Sequence, residues 1–286
     1  MLTYMEEKLQ EKLNQIQAAN LKMLKEIDRI CRKHDIGYRL DSGTLIGAVR
    51  HKGFIPWDDD ADIIMRRDDW ERFREIAPSE LPDSMELMTP EDLAEINAFY
   101  DFTPRIIYRN CRKCVPDEET AYYGERLNRL WIDIFLEDNI PDGKAGDFIA
   151  RTKQKIIYSL AMGHRFGCDY RKYTVLQKIA VAAGSGAGKL IPMKTLCRWQ
   201  RDAAVHDRNR KTKRLFCSNY QPDYLYVTID RSWTDRTVYM PFEDTELAVP
   251  VESHNVLKEI YGDYMQLPAL EKRVPSHGTE MVEVYD

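Results

Sequence analysis

The stretch Asp41-Ser42-Gly43-Thr44-Leu45-Ile46-Gly47-Ala48-Val49-Arg50-His51-Lys52-Gly53-Phe54-Ile55-Pro56-Trp57-Asp58-Asp59-Asp60-Ala61-Asp62-Ile63-Ile64-Met65 carries most of what can be read about the fold. Ser42-Gly43 breaks the chain before a short helix through Leu45, Ile46 and Val49. Gly53 and Pro56 mark a turn, and Asp60 to Met65 reads as a strand. Residues two apart on a strand share a face, so this reading projects Asp60 and Asp62 together and turns Ala61 and Ile63 away. Two such carboxylates running into an apolar strand suit one or two hard divalent cations, with phosphate oxygens completing the coordination. The plainer reading is a solvated acidic turn capped by Asp58 and Asp59. The continuation Ile63-Ile64-Met65 and the helix start upstream favour a site.

Outward from this stretch, Trp131-Ile132-Asp133-Ile134-Phe135 sets one carboxylate inside an apolar strand. A buried carboxylate either protonates or finds a cation. The structural alternative is an ion pair to Arg126 or Arg129. With Asp60 and Asp62 on a neighbouring strand, Asp133 is expected as a third metal ligand or as the base that takes a proton from an acceptor. Backbone N–H groups where Gly43 and Thr44 open the helix can approach a phosphate closely. Arg50, His51 and Lys52 follow, cations that can hold phosphate charge or simply form an exposed basic turn.

Residues 5–33 place Leu9, Leu13, Ile16, Ala19, Met23, Ile27 and Ile30 at helical spacing, which predicts one long amphipathic helix. Ile36 to Leu40 is short and strand-like. A helix over Asp68 to Ile76, capped by Asp68, follows the acidic strand. Further strands are expected at Met85–Met88, Arg105–Tyr108, Leu130–Leu136 and Thr237–Met240. Helices are expected at Asp147–Met162, Thr174–Ala183, Lys194–His206 and from Ser253 through Ile260. This predicts an α+β fold, a small mixed sheet carrying the site with helices packed beside it. The whole of 1–286 reads as one unit: a core over 1–140, a helical region over 145–215, and C-terminal strands and a helix over 216–286 that pack back on the core.

The segment Ala183-Gly184-Ser185-Gly186-Ala187-Gly188-Lys189-Leu190 imitates a phosphate-binding loop. It lacks the first glycine and the magnesium-binding hydroxyl, so a small-residue connector between helices is expected.

The chain is long enough to bury a substantial core. Among 286 residues, 42 Lys and Arg face 47 Asp and Glu, a net charge of −5, with 43% apolar residues, 14 Gly and 13 Pro. That excludes disordered and collagen-like chains. No run reaches the roughly 18 apolar residues a bilayer span needs, and the charged N-terminus is unlike a signal peptide, so a cytoplasmic protein is expected. The six cysteines, at 31, 111, 114, 168, 197 and 217, show no disulfide framework and read as thiols. Cys111 and Cys114 form a C-x-x-C without further zinc ligands nearby. Between Lys194 and Arg214, eight basic residues stand against Asp202 and Asp207, a local net of +6. Such a patch suits an anionic membrane surface, at the inner face of the membrane, or an acidic glycan carrier; a solvated helix face is the plain alternative. No nucleic-acid motif accompanies it.

The segment from Gly43 to Asp62 resembles the signature of the LicD family, which includes bacterial phosphocholine transferases and is related to fukutin and the fukutin-related protein. Trp131 to Phe135 resembles that family's second acidic strand, and Tyr261-Gly262-Asp263-Tyr264-Met265 with Pro268 its C-terminal segment. Ala61 stands where Ile or Val is usual, and Leu136-Glu137 replaces a common Pro-Leu. The resemblance implies a nucleotidyltransferase-like fold. By it, Gly43 and Thr44 bind donor phosphate, with Arg50 and Lys52 beside them, while Asp60, Asp62 and Asp133 hold magnesium or manganese and perform catalysis. The implied reaction moves a phospho-alcohol, foremost phosphocholine from CDP-choline, to a glycan hydroxyl of a teichoic acid, lipopolysaccharide or capsule precursor and releases CMP. Donors carrying ribitol, glycerol or ethanolamine, or transfer of a nucleoside monophosphate with release of pyrophosphate, use the same carboxylates. Trp57, Tyr122, Tyr123 and Trp131 lie near the motifs in sequence and offer rings for a quaternary ammonium.

Overall fold

Apolar residues at every third or fourth position give the opening helix one buried stripe. The computed structural model describes residues 2–167, 174–275 and 279–285; Cys168 lies outside them. Leu2–His34 (α1) buries Ile16, Ala19, Met23, Ile27 and Ile30 in the main core, with Leu13 buried one turn earlier, on the stripe that the periodicity predicts. Next come Arg39–Leu40 (β1), Ser42–His51 (α2), Asp62–Arg66 (β2) and Arg67–Glu80 (α3). Met85–Met88 (β3), Pro90–Glu95 (α4), Arg105–Tyr108 (β4), Cys111–Lys113 (β5), Asp117–Tyr122 (α5) and Leu130–Ile140 (β6) complete the first half. The helices Lys144–Ala161 (α6), Val175–Gly188 (α7) and Met193–Ala204 (α8) precede Arg214–Cys217 (β7), Ile229–Asp230 (β8) and Arg231–Thr234 (α9). The chain closes with Thr237–Phe242 (β9), Thr245–Pro250 (β10), Ser253–Tyr261 (α10) and Val282–Val284 (β11).

Seven strands form a mixed sheet in which β1, β2, β6, β4 and β3 lie side by side, with β7 and β8 added along the far half of β6. Only β2 and β6 run parallel; the other pairs are antiparallel. The eleven residues of β6 hand over from one set of neighbours to another. Leu130 to Asp133 pair with β4, Asp133 to Glu137 with β2, and Glu137 to Ile140 with β7. Ile132, Ile134 and Leu136 face the main core together with Ile63 and Met65, so Trp131, Asp133 and Phe135 point to the other side.

The structure alters several boundaries. Strand β2 begins at Asp62, so Asp60 lies in the preceding loop rather than on the strand. Helix α3 is capped by Arg66, with Asp68 and Asp69 in its first turn, where carboxylates favour the exposed N–H groups. The small residues 183–188 are no connector: α7 continues through them. A Cβ at Gly184 or Gly188 would collide with the Ser159 side chain or the Leu160 carbonyl, so these glycines let α7 lie against α6. A separate cluster of Ile157, Tyr158, Met193 and Leu196 with Ala94, Phe99 and Phe102 packs α6 and α8 against α4 and the connection that leads to β4. The C-terminal strand β11 pairs with β5, in which Cys111 is buried; Cys114, just past it, is exposed. Both are thiols. Among the described residues, no helix is long and apolar enough to cross a membrane.

Candidate active site

Register brings the site together. Asp62 on β2 stands directly beside Asp133 on β6, and Arg105 on β4 stands beside Asp133 on the opposite edge. Directly paired residues present their side chains to the same face, so three strands contribute a carboxylate, a carboxylate and a guanidinium in one row.

Arg105 is buried. Its Nε lies 2.8 Å from Asp133 Oδ1, and its Nη2 donates to Asp101 Oδ2 at 2.5 Å. The Nε–Asp133 contact is a charge contact without hydrogen-bond alignment. The partner of Asp133 is therefore Arg105, not the Arg126 or Arg129 that sequence proximity offers. Arg126 pairs with Asp92, and Arg129 donates to the carbonyls of Arg109 and Cys111. Burial pushes the Asp133 carboxyl up to about 6, against the lowering influence of Arg105.

Burial, and then the field of Asp60, Asp133, Asp41 and Asp58, holds the Asp62 carboxyl well above the usual carboxylate range. Among the described residues, no Lys, Arg or His lies within ion-pair distance of Asp62. Asp41, which caps α2, is buried; Tyr220 Oη donates to its Oδ2 at 2.9 Å. Asp59 is buried and accepts from Thr279 Oγ1 at 2.7 Å, which ties the acidic loop to the C-terminal segment. Asp60 is half-buried at the rim of the site.

Thr44 is committed to the fold. Its Oγ1 accepts from the Asp62 backbone N–H at 2.9 Å and fixes the start of β2 to α2. Gly43 faces the acidic loop: a Cβ there would stand 2.7 Å from Asp58 Oδ2, so the missing side chain admits a carboxylate. Arg50 and Lys52 lie at the opposite end of α2 from Gly43. Seven residues of helix separate Gly43 from Arg50, about 10 Å at 1.5 Å per residue. Arg50 Nη1 donates to the Tyr264 carbonyl at 2.6 Å and its Nε to His51 Nε2 at 2.9 Å. Lys52 is exposed just past the helix, at φ 61°, and its N–H closes the helix on the Gly47 carbonyl.

Beside Asp60 and Asp133 opens a pocket of about 230 Å³ whose lining includes Tyr100, Trp131, Lys113 and Gln221. The Arg105 guanidinium lies 5.1 Å from the ring centres of both Tyr100 and Trp131. Of the four aromatics near the motifs in sequence, Trp131 alone lines this pocket. Trp57 packs with His51 and Arg273, and Tyr122 with Tyr123 and Phe166. Arg105, Asp101, Asp41 and Tyr220 carry no local sequence signal. Only the strand register and the return of the chain near β7 deliver them.

A hard divalent cation agrees with the donor chemistry, because oxygens crowd Asp62 without a neighbouring cation. Among the described residues, no three His, Cys, Asp or Glu side chains already converge on one point as ligands.

Asp60, Asp101 and Asp133 line a pocket beside the mixed sheet together with Arg105, Lys113 and Arg129, which makes it a strongly polar site. The chain belongs to the LicD family. The family model described as "LicD/FKTN/FKRP, nucleotidyltransferase domain" matches residues 35–98, the span holding α2, the acidic loop and β2. The lipopolysaccharide cholinephosphotransferase LicD of Haemophilus influenzae is 30% identical over 278 residues, covering 93% of this chain and 96% of the relative. An uncharacterized protein of Rickettsia prowazekii is 42% identical over 120 residues, 42% of this chain and 39% of the relative. Another, from Rickettsia typhi, is 45% identical over 56 residues, 20% of this chain and 18% of the relative.

Proposed function

We propose that this protein is a CDP-alcohol phosphotransferase, one catalytic unit over residues 1–286, that moves phosphocholine from CDP-choline to a glycan hydroxyl and releases CMP. The observation that carries this reading is the row of Asp62, Asp133 and Arg105 across three strands, with Asp60 and Asp133 lining the pocket beside it. Family membership and the lipopolysaccharide cholinephosphotransferase relative support the transferred group and the glycan acceptor.

In this reading Asp60 and Asp62 hold magnesium or manganese, which supplies neutralisation of the diphosphate charge as the bond to CMP breaks. Asp133, oriented by Arg105, accepts the proton of the attacking acceptor hydroxyl or completes the metal site. In this reading the donor's head group meets the Trp131 and Tyr100 rings, which already face the cations Arg105, Lys113 and Arg165. The Gly43 end of α2 contributes backbone N–H groups toward phosphate. The experiment is CMP release from CDP-choline with and without magnesium, for the wild type and Asp62→Asn. Magnesium-dependent CMP release that the variant loses supports the reading. Pyrophosphate release from a nucleoside triphosphate, without CMP from CDP-choline, replaces it with nucleotidyl transfer.

A further inference from the structure

The charge of this chain is divided very unevenly. Residues 144–214 carry seventeen Lys and Arg against four Asp and no Glu, a net of +13, which leaves −18 on the rest. The segment Lys194–Arg214 contributes less free charge than its sequence suggests. Lys194 pairs with Glu95, Arg201 with Glu71, Arg208 with Asp68, Arg210 with Asp207 and Arg214 with Asp147, so much of it is neutralised against neighbouring carboxylates. The lysines of α6 and α7 differ. Among the described residues, no carboxylate lies within ion-pair distance of Lys153, Lys155 or Lys178, and all three are exposed.

The same helices expose apolar side chains that a water-facing surface has no use for. Phe148 is 70% exposed and Ile156 56% on α6, and Val175 73% and Ile179 62% on α7. Trp199 of α8, 41% exposed, and Ile156 rim a shallow groove of about 360 Å³ with Lys153, His206 and one exposed carboxylate, Asp202. Helix α7 has small residues where it meets α6, yet Val175 and Ile179 stand in solvent.

We propose that the α6–α7–α8 face is a docking surface for an anionic lipid bilayer. Exposed Phe, Ile, Val and Trp flanked by lysines are the chemistry of an interfacial contact: the apolar side chains enter the headgroup–acyl boundary while the ammonium groups meet lipid phosphates. A nucleic acid would satisfy the charge but give no place to Phe148 and Ile179. The proposal is independent of the transferase reading, because seating on a bilayer needs neither donor nor turnover.

The test is flotation of the full chain with vesicles of phosphatidylglycerol and phosphatidylethanolamine, beside pure phosphatidylcholine, at low and high salt. Binding to the anionic vesicles is expected, and weakens with salt. The triple change Lys153→Gln, Lys155→Gln, Lys178→Gln lowers the partition coefficient about a hundredfold, at roughly fivefold per charge. Phe148→Ser with Ile179→Ser lowers it at least tenfold, leaves thermal unfolding cooperative, and leaves any binding to heparin or duplex DNA unchanged. Trp199 supplies a second readout, a blue shift of emission on vesicles that Trp199→Phe removes. Equal binding to phosphatidylcholine, no binding to either vesicle, or indifference to the serine pair overturns the proposal. Heparin or DNA binding that the serine pair leaves intact, with no vesicle binding, reassigns the face to a soluble polyanion.

Discussion

Asp62 is the residue whose substitution separates charge from shape. Its carboxyl is held above its ordinary value by burial and four neighbouring carboxylates, so the folded chain binds the proton more tightly than the unfolded one. The sign follows from linkage. A carboxyl raised on folding contributes its stability fully below the unfolded value near 3.9 and loses it as pH rises through the folded value. The metal-free protein is therefore expected to lose stability from this group as pH rises above about 4. Asp62→Asn should flatten that slope and raise Tm at pH 7.5 by a few degrees, as 1 kcal/mol moves a large domain by about 2–4 °C. The same variant should lose several orders of magnitude of CMP release. A melting series from pH 4 to 8 on both proteins checks the first part, and a lower Tm for the variant at pH 7.5 contradicts it. Arg105 makes the complementary case. It alone is positioned between Asp101 and Asp133 in the buried row, so Arg105→Met should cost about 3–5 kcal/mol in urea unfolding, the usual consequence of stranding a buried charge, while Arg105→Lys retains part of it. Asp62 and Asp133 were legible in the sequence because a carboxylate inside an apolar strand is conspicuous. Arg105 was not, because its place depends on which residue of β4 falls opposite Asp133.

At the scale of elements, legibility followed periodicity. Helices α1 and α10 announce themselves by repeated apolar spacing long enough to read. Strands β5, β7, β8 and β11 are two to four residues each, too short for a pattern, and exist because distant partners supply their hydrogen bonds. The start of β2 was misread by two residues for a similar reason. Asp60 continues the alternation in sequence, but the ladder begins only where the Asp62 N–H donates to Thr44 Oγ1. One glycine holds this corner of the molecule at a minimum separation. A Cβ on Gly47 would run into the Gly53 carbonyl and stand 3.2 Å from the Ile55 N–H, both backbone. Gly47→Ala must push the acidic loop away from α2. It is expected to destabilise the protein by about 1–3 kcal/mol, the usual cost of overpacking, and to impair donor binding as the loop shifts. Denaturant unfolding with the Michaelis constant for CDP-choline measures both. Unchanged values in both would mean that the loop has slack which the packing does not suggest.

Over the whole molecule, the residues outside 144–214 carry a net charge of −18 and attract any divalent cation weakly, so a rise in stability on adding magnesium does not by itself report a site. A site is distinguished by saturation and by its dependence on one residue. A cation that binds only the folded chain stabilises it by RT ln(1 + [L]/Kd), about 2.7 kcal/mol at a hundredfold excess over Kd. For a chain of this size, that corresponds to roughly 5 °C or more in Tm. The diffuse part is reproduced by sodium chloride of equal ionic strength, because screening of exposed charge does not depend on which ion supplies it. The part held at Asp62 is not. The wild type in magnesium should therefore melt above the wild type in matched sodium chloride, with a saturating dose response, and CDP-choline should add to the shift because its phosphates complete the coordination. Asp62→Asn should start from a higher Tm in the absence of metal and show only the diffuse response. The two melting curves are then expected to approach each other as magnesium rises. Parallel curves at every concentration would place the cation elsewhere and leave Asp62 as a purely structural carboxyl.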